Sequence, residues 1–225
     1  MSWYTMAADP DHIRREVTIP VGGLSLGATL TVPATARGIV LFVHGSGSSR
    51  FSPRNRFVAD DFTRHGLATL LLDLLTRAEQ EVDEITAELR FDIPLLSTRT
   101  AQCVDWVDTQ PALRALPMGL FGASTGAAAA LNAAAERPQR IAAVVSRGGR
   151  PDLAMTSLPR VAAPTLFIVG GRDPEVLRLN REAAAALAAP HQVEVVAGAS
   201  HLFEEPGKLD IVARLAREWF RGHLA

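Results

Sequence analysis

Two kinds of apolar segment recur along the chain. Residues 17–21 (VTIPV) and 24–32 (LSLGATLTV) alternate apolar with small or polar positions, and Gly22-Gly23 joins them. That pattern predicts an antiparallel hairpin at a sheet edge. Residues 38–43 (GIVLFV) are apolar throughout, and the runs at 68–72, 120–121, 141–145, 165–169 and 193–196 carry much the same signature, interrupted by Thr69, Thr165 and Glu194. A continuously apolar strand is covered on both faces, as in a parallel sheet flanked by helices. Helical patterns fall between these runs, at 54–65 behind a Ser52-Pro53 cap, then at 98–108, 125–136, 174–188 and 208–223. Strands and helices in alternation predict a doubly wound α/β fold with right-handed crossovers. The sheet is expected to be mostly parallel, with about seven or eight strands and helices on both faces. No composition break divides residues 1–225, so a single domain is expected.

One stretch fits this alternation poorly. Residues 76–94 (TRAEQEVDEITAELRFDIP) are acidic and long for a connection, with Val82, Ile85 and Leu89 at helical spacing. They predict a short amphipathic helix packed on the surface, or a rim or partial lid over a site.

Composition narrows the function classes. A hydrophobic fraction of 48% in 225 residues suffices for one well-buried core. A net charge of −1 offers no basic surface for nucleic acid or membrane. The single cysteine, Cys103, excludes an internal disulfide, suits a reducing compartment and is expected as core filler. The first seventeen residues lack a basic start and an apolar core, and no run approaches a membrane span. A cytoplasmic protein is the expectation.

Candidate chemistry collects where the predicted strands end, the edge at which open α/β sheets bind ligands. Residues 118–126 (MGLFGASTG) read as strand, very tight turn and helix, with Ser124 at the apex. Gly122, Ala123 and Gly126 leave room for the strained backbone that such a turn imposes. The bland alternative makes Ser124 an ordinary helix N-cap. After 38–43 comes His44-Gly45-Ser46-Gly47-Ser48-Ser49, whose glycines let backbone amides face a ligand. The Thr125 and Ser46 amides are thereby candidate oxyanion-hole donors, and His44 a structural hydrogen-bonding residue. After 165–169 comes Asp173-Pro174-Glu175, which is also a good helix start with Asp173 as cap. His201 follows the last strand. A serine, an acid and a histidine in this order, each after a core strand, fit one serine-hydrolase architecture. Asp152, after 141–145, is a reserve candidate for the acid. No cluster has metal-ligand spacing.

The segments VHGSGSS, GLFGASTG, FIVGGRDP and GASHLF together resemble the α/β-hydrolase fold, in its small dienelactone-hydrolase-like branch, from about residue 37 onward. The resemblance implies Ser124 as nucleophile, Asp173 as acid, His201 as base, and Ser46 and Thr125 amides as oxyanion hole, with no cofactor. The chain carries Ser124 where true dienelactone hydrolases carry cysteine. It also lacks the elbow aspartate of dehalogenase and epoxide-hydrolase relatives. The implied reaction is cleavage of a small carboxylic ester or lactone through an acyl-enzyme. An amide or thioester hydrolase, or an acyltransferase, would use the same groups, and a receptor without turnover is a third reading. Only residues 147–163 separate two neighbouring strands, too few for a large cap domain. Arg54, Arg147 and Arg150 are candidates for holding a substrate carboxylate. For Arg147 and Arg150 the alternative partners are Asp152 and the acids of 76–94.

Overall fold

In chain order the elements are β1 (His12–Val21), β2 (Leu24–Pro33), β3 (Gly38–Val43), α1 (Pro53–Arg64), β4 (Leu67–Leu72), α2 (Arg77–Thr86), α3 (Ile93–Asp108), β5 (Met118–Ala123), α4 (Thr125–Glu136), β6 (Ile141–Arg147), β7 (Thr165–Gly170), α5 (Pro174–Ala186), β8 (His191–Val196) and α6 (Lys208–His223). They come from a computed structural model, which describes residues 12–224.

The eight strands form one open sheet in the order β1-β2-β4-β3-β5-β6-β7-β8. β1 and β2 pair antiparallel, β2 joins β4 antiparallel, and every later pairing is parallel. The hairpin turn places Gly22 and Gly23 at φ 52° and 84°, the left-handed pair that a two-residue hairpin loop needs. β1 begins five residues before the alternation does, because residues 13–16 are all exposed and leave no pattern to read.

The chain leaves β3 toward β4 on one side and returns to β5 on the other. The carboxyl ends of β3 and β5 therefore open a crevice at the point where strand order reverses. The loop 44–52 and the Ser124 turn lie there.

Helices cover both faces. α1 and α6 pack on one, where Phe62 and Phe220 meet Phe42 and Phe121 of the sheet. The fit is close enough that a Cβ on Gly119 would lie 2.4 Å from the Phe220 ring. On the other face lie α3, α4 and α5, with Val104, the alanines of α4 and Ala183 in one cluster. An alanine-rich helix can approach a sheet closely, and α4 is buried along nearly its whole length. Cys103 is buried in this cluster, where desolvation pushes its thiol up to about 12 and leaves it unreactive at neutral pH.

Two boundaries differ from the sequence expectation for clear reasons. α3 starts at Ile93 rather than 98, capped by Asp92, whose carboxylate accepts from the Leu95 amide. Pro94 looks like a helix breaker, yet it sits in the first turn, where a missing N–H costs nothing. α2 exists but turns the opposite way to its apolar spacing. Val82 and Ile85 are 55% and 88% exposed, while Asp83 is 2% exposed. The expected apolar contact face is thus corrected to a polar one. Asp83 accepts from the Arg90 amide at 3.0 Å and from Arg90 Nε at 2.7 Å. Glu79 takes both Nη atoms of the buried Arg99. These pairs, with the Thr76/Glu79 capping box, fix the helix orientation.

Candidate active site

The Ser124 turn is built by what its neighbours lack. A Cβ on Gly122 would lie 2.4 Å from Ala127 Cα, and one on Gly126 would lie 2.3 Å from the Val43 carbonyl oxygen. Glycine at both positions lets α4 start directly over the ends of β3 and β5. Ser124 itself has φ 50° and ψ −124°, an unfavourable conformation for a side chain with a Cβ. Its hydroxyl makes no capping bond to the helix, so the N-cap alternative does not describe this serine. The loop after β6 clamps the strained residue on both sides. The Ser124 amide donates to the Arg147 carbonyl at 3.3 Å, and the Arg150 amide donates to the Ser124 carbonyl at 3.0 Å.

The opposite wall is the loop after β3. A Cβ on Gly45 would lie 2.9 Å from Ser124 Cβ, so only glycine lets this loop face the serine. His44 ties the loop to the end of β4. Its Nε2 accepts the Leu74 amide at 3.1 Å, which places the ring proton on Nδ1, 2.8 Å from the Gly45 carbonyl. Burial lowers its pKa, against the opposing effects of the Gly45 carbonyl and Asp73. His44 is therefore a neutral structural ring.

Asp173 stands at the N-cap position of α5 but makes no capping bond. Its Oδ2 lies 2.7 Å from His201 Nδ1 instead. Asp152, the reserve acid, holds both Nε and Nη2 of Arg150 at 2.8 Å and is thereby occupied. The His201 turn is braced by Glu205, which accepts the Ser200 amide at 2.9 Å, and by a left-handed Phe203 at φ 58°. Gly148 (φ 52°) brings the β6 loop against it, with its Cβ position 3.6 Å from His201 Cε1. One loop thus touches both the serine turn and the histidine turn.

The Ser46 amide donates to Thr125 Oγ1 at 2.9 Å. The Thr125 amide opens α4, where a helix has no acceptor of its own to offer. The two expected oxyanion donors are adjacent, and one of them is engaged by the side chain of the other.

The three arginines are placed differently. Arg150 is paired with Asp152, the alternative that the sequence left open. Arg54 reaches Glu204 at 2.6 Å, joining α1 to the histidine turn, and stays about one-third exposed. Arg147 belongs to β6 rather than to the loop and is 5% exposed, with Nη2 donating to Asn55 Oδ1 at 3.1 Å. Its Nε is buried without a hydrogen-bond partner among the described residues, and its Cζ lies 6.0 Å from the Phe203 ring centre. Burial, and then the neighbouring Arg54, lower its pKa to about 10.

A cavity of about 120 Å³ lies between residues 44–48, the end of β4 and the α2 segment. Gln80, Asp83, Glu84 and Arg90 line it, so the 76–94 segment forms a rim to the crevice. Arg90 and Asp83 are not recognisable as wall residues from sequence, because their acidic surroundings look like a solvated helix. Among the described residues no group of three or more His, Cys, Asp or Glu could hold a metal ion, and no helix is long and apolar enough to cross a membrane.

Comparison with known proteins identifies the family and the fold. The family model of the dienelactone hydrolases matches residues 26–221. A crystal structure of dienelactone hydrolase from Anabaena variabilis superposes with a TM-score of 0.94 at 53% identity, covering 96% of this chain and 100% of that one. Est1E from Butyrivibrio proteoclasticus shares the fold, with a TM-score of 0.78 at 14% identity over 92% of this chain and 98% of that one. A Mycobacterium tuberculosis (strain ATCC 25618 / H37Rv) protein, provisionally named a phosphoribosyl transferase, is 55% identical over 218 residues, 97% of this chain and 48% of its own length. The chain spans about half the length of the curated relatives it matches.

Proposed function

The chain belongs to the dienelactone hydrolase family, and from that premise we propose that it is a serine hydrolase of small carboxylic esters or lactones, working through an acyl-enzyme on Ser124. The observation that carries the reading is the Asp173 carboxylate, which forgoes its helix cap and lies 2.7 Å from His201 Nδ1. A carboxylate there keeps a proton on Nδ1 and leaves Nε2 as the base.

In the proposed reaction Ser124 Oγ attacks the substrate carbonyl carbon while its proton passes to His201 Nε2. The carbonyl π pair moves to oxygen, and amides at the front of α4 offset the new charge. Collapse of this intermediate expels the alkoxide, which takes the proton from Nε2. Water, deprotonated by the same nitrogen, then attacks the acyl carbon, and collapse of this second intermediate releases the acid while Ser124 Oγ takes the proton back from Nε2. Asp173 accepts from the Nδ1 proton throughout and steadies the imidazolium.

An amide, thioester or acyl-transfer substrate would pass through the same acyl-enzyme, so a substrate panel decides among them. The transferase name borne by the mycobacterial relatives describes proteins about twice this length, and we place hydrolase chemistry in the shared half. On the substrate side, Arg150 is held by Asp152 and Arg54 by Glu204, so a remote carboxylate would have to displace one of these partners.

The test is turnover of p-nitrophenyl esters, thioesters and lactones that vary in acyl length and charge. Esters or lactones are expected to be cleaved, with the activity lost in both Ser124→Ala and His201→Ala. Full activity in folded Ser124→Ala would overturn the reading.

A further inference from the structure

Thr125 is 4% exposed, yet its hydroxyl proton has no acceptor among the described residues. The oxygen accepts the Ser46 amide at 2.9 Å, so its own O–H must point elsewhere. A shielded hydroxyl whose proton is uncommitted carries a cost, because its donor half has lost water without gaining an acceptor. The same residue's amide, at the first position of α4, is also without an acceptor inside the helix. Both free donors of Thr125 therefore begin within one residue of Ser124, on the side where Gly45 faces the serine. The Ser46 amide is already spent on Thr125 and can serve an oxyanion only at the expense of that bond.

We propose that the second donor of the oxyanion hole is the Thr125 hydroxyl, with the Ser46 amide behind it as the group that orients and polarises it. This rests on the acyl-enzyme reading and adds a catalytic residue to it. When Ser124 Oγ bonds to the carbonyl carbon, the π pair moves to the carbonyl oxygen. That oxygen then accepts from the Thr125 N–H and from Thr125 Oγ–H. Ser46 N–H donates into the same Oγ throughout, and a chain of two aligned hydrogen bonds is stronger at its end than one alone. No proton changes owner in this relay. The donors are fixed before the reaction, which is the condition for lowering a barrier rather than for tightening substrate binding.

The test uses Thr125→Val, nearly isosteric but without the hydroxyl, and Thr125→Ser, which keeps it. For Thr125→Val we expect kcat on a p-nitrophenyl ester to fall by about 10- to 100-fold, with KM changed by less than about 3-fold. Affinity for a trifluoromethyl ketone, whose hemiketal carries the oxyanion, should fall by a similar factor. Thr125→Ser should restore most of both. A Thr125→Val enzyme as fast as the parent, or faster, would show that the hydroxyl only occupied the Ser46 amide, and would overturn the proposal. If Thr125→Val does not fold, a Thr125→Ser enzyme that loses kcat as severely as Thr125→Ala overturns it equally. Failure of the underlying reading is a separate result, seen as activity that survives Ser124→Ala.

Discussion

Replacing Arg147 with methionine should make the protein more stable. Arg147 is 5% exposed, and among the described residues its guanidinium meets no carboxylate, only Asn55 Oδ1 at 3.1 Å and the Phe203 ring at 6.0 Å. Taking one charge out of water costs several kcal/mol even after relaxation, on the order of 5 kcal/mol. Against this, a hydrogen bond from a charged donor returns about 1.5–3 kcal/mol and a cation over a ring about 0.5–1 kcal/mol. Methionine keeps most of the apolar stem and removes the charge, so the balance favours the variant by ~1–3 kcal/mol. Asn55 loses its partner, and Asn55→Leu in the same chain should recover that loss. For a domain of this size ~1–3 kcal/mol corresponds to a rise in Tm of about 3–10 °C. Urea unfolding at pH 7 is the assay, read as a higher midpoint with an unchanged slope. A fall in stability of more than ~1 kcal/mol in Arg147→Met, at constant slope, would refute the argument, since the buried cation would then be a net stabiliser. A position that weakens the fold and is nonetheless cationic fits a functional role beside the crevice.

Asp173→Asn should lower kcat by about 10⁴-fold, because an amide at that position holds the wrong histidine tautomer; Asp152→Asn, which only frees Arg150, should change kcat far less, and the reverse order in steady-state kinetics would move the acid to β6. Stability should fall on acidification in two stages. His44 has a lowered pKa in the fold, so below about pH 6.5 the unfolded chain binds its proton first, and stability declines as pH drops. Arg99 holds the Glu79 carboxyl below its usual range; for Asp83 burial acts upward, and the Arg90 amide and guanidinium outweigh it. Their contribution is complete above about pH 4.5 and is lost as pH falls through the lowered values. Urea midpoints at pH 7, 5.5 and 4 check both, and a flat profile in the parent, or one unchanged in His44→Gln and Asp83→Asn, contradicts the assignment.

Most of the sheet was legible because fully buried parallel strands leave mostly apolar runs, in which a buried threonine is the sole polar type, and β3, β4 and β7 match those runs to within one residue at either end. The candidate serine, acid and histidine stand out in the sequence because each comes shortly after a predicted strand, although β8, which precedes His201, is an edge strand left largely exposed rather than a buried run. What sequence hid were choices made by polar groups. Asp173 followed by Pro174 has the pattern of a cap, and only the 2.7 Å approach of His201 distinguishes it. Arg147 reads as a loop residue because β6 continues two positions past its last aliphatic, through Ser146 into Arg147. α2 shows a plausible apolar stripe, yet the buried pairs Asp83–Arg90 and Glu79–Arg99 decide its rotation. Helical spacing records hydrophobicity and carries no information about ion pairs formed 7 or 20 residues away.

The central claim is that Ser124 is the nucleophile, and covalent capture tests it most directly. The protein would be treated with a fluorophosphonate, digested, and the modified peptide sequenced by mass spectrometry. The account predicts one adduct per chain, on Ser124, formed in step with loss of esterase activity and absent from folded Ser124→Ala. An adduct on another residue, or activity lost without modification of Ser124, would contradict it.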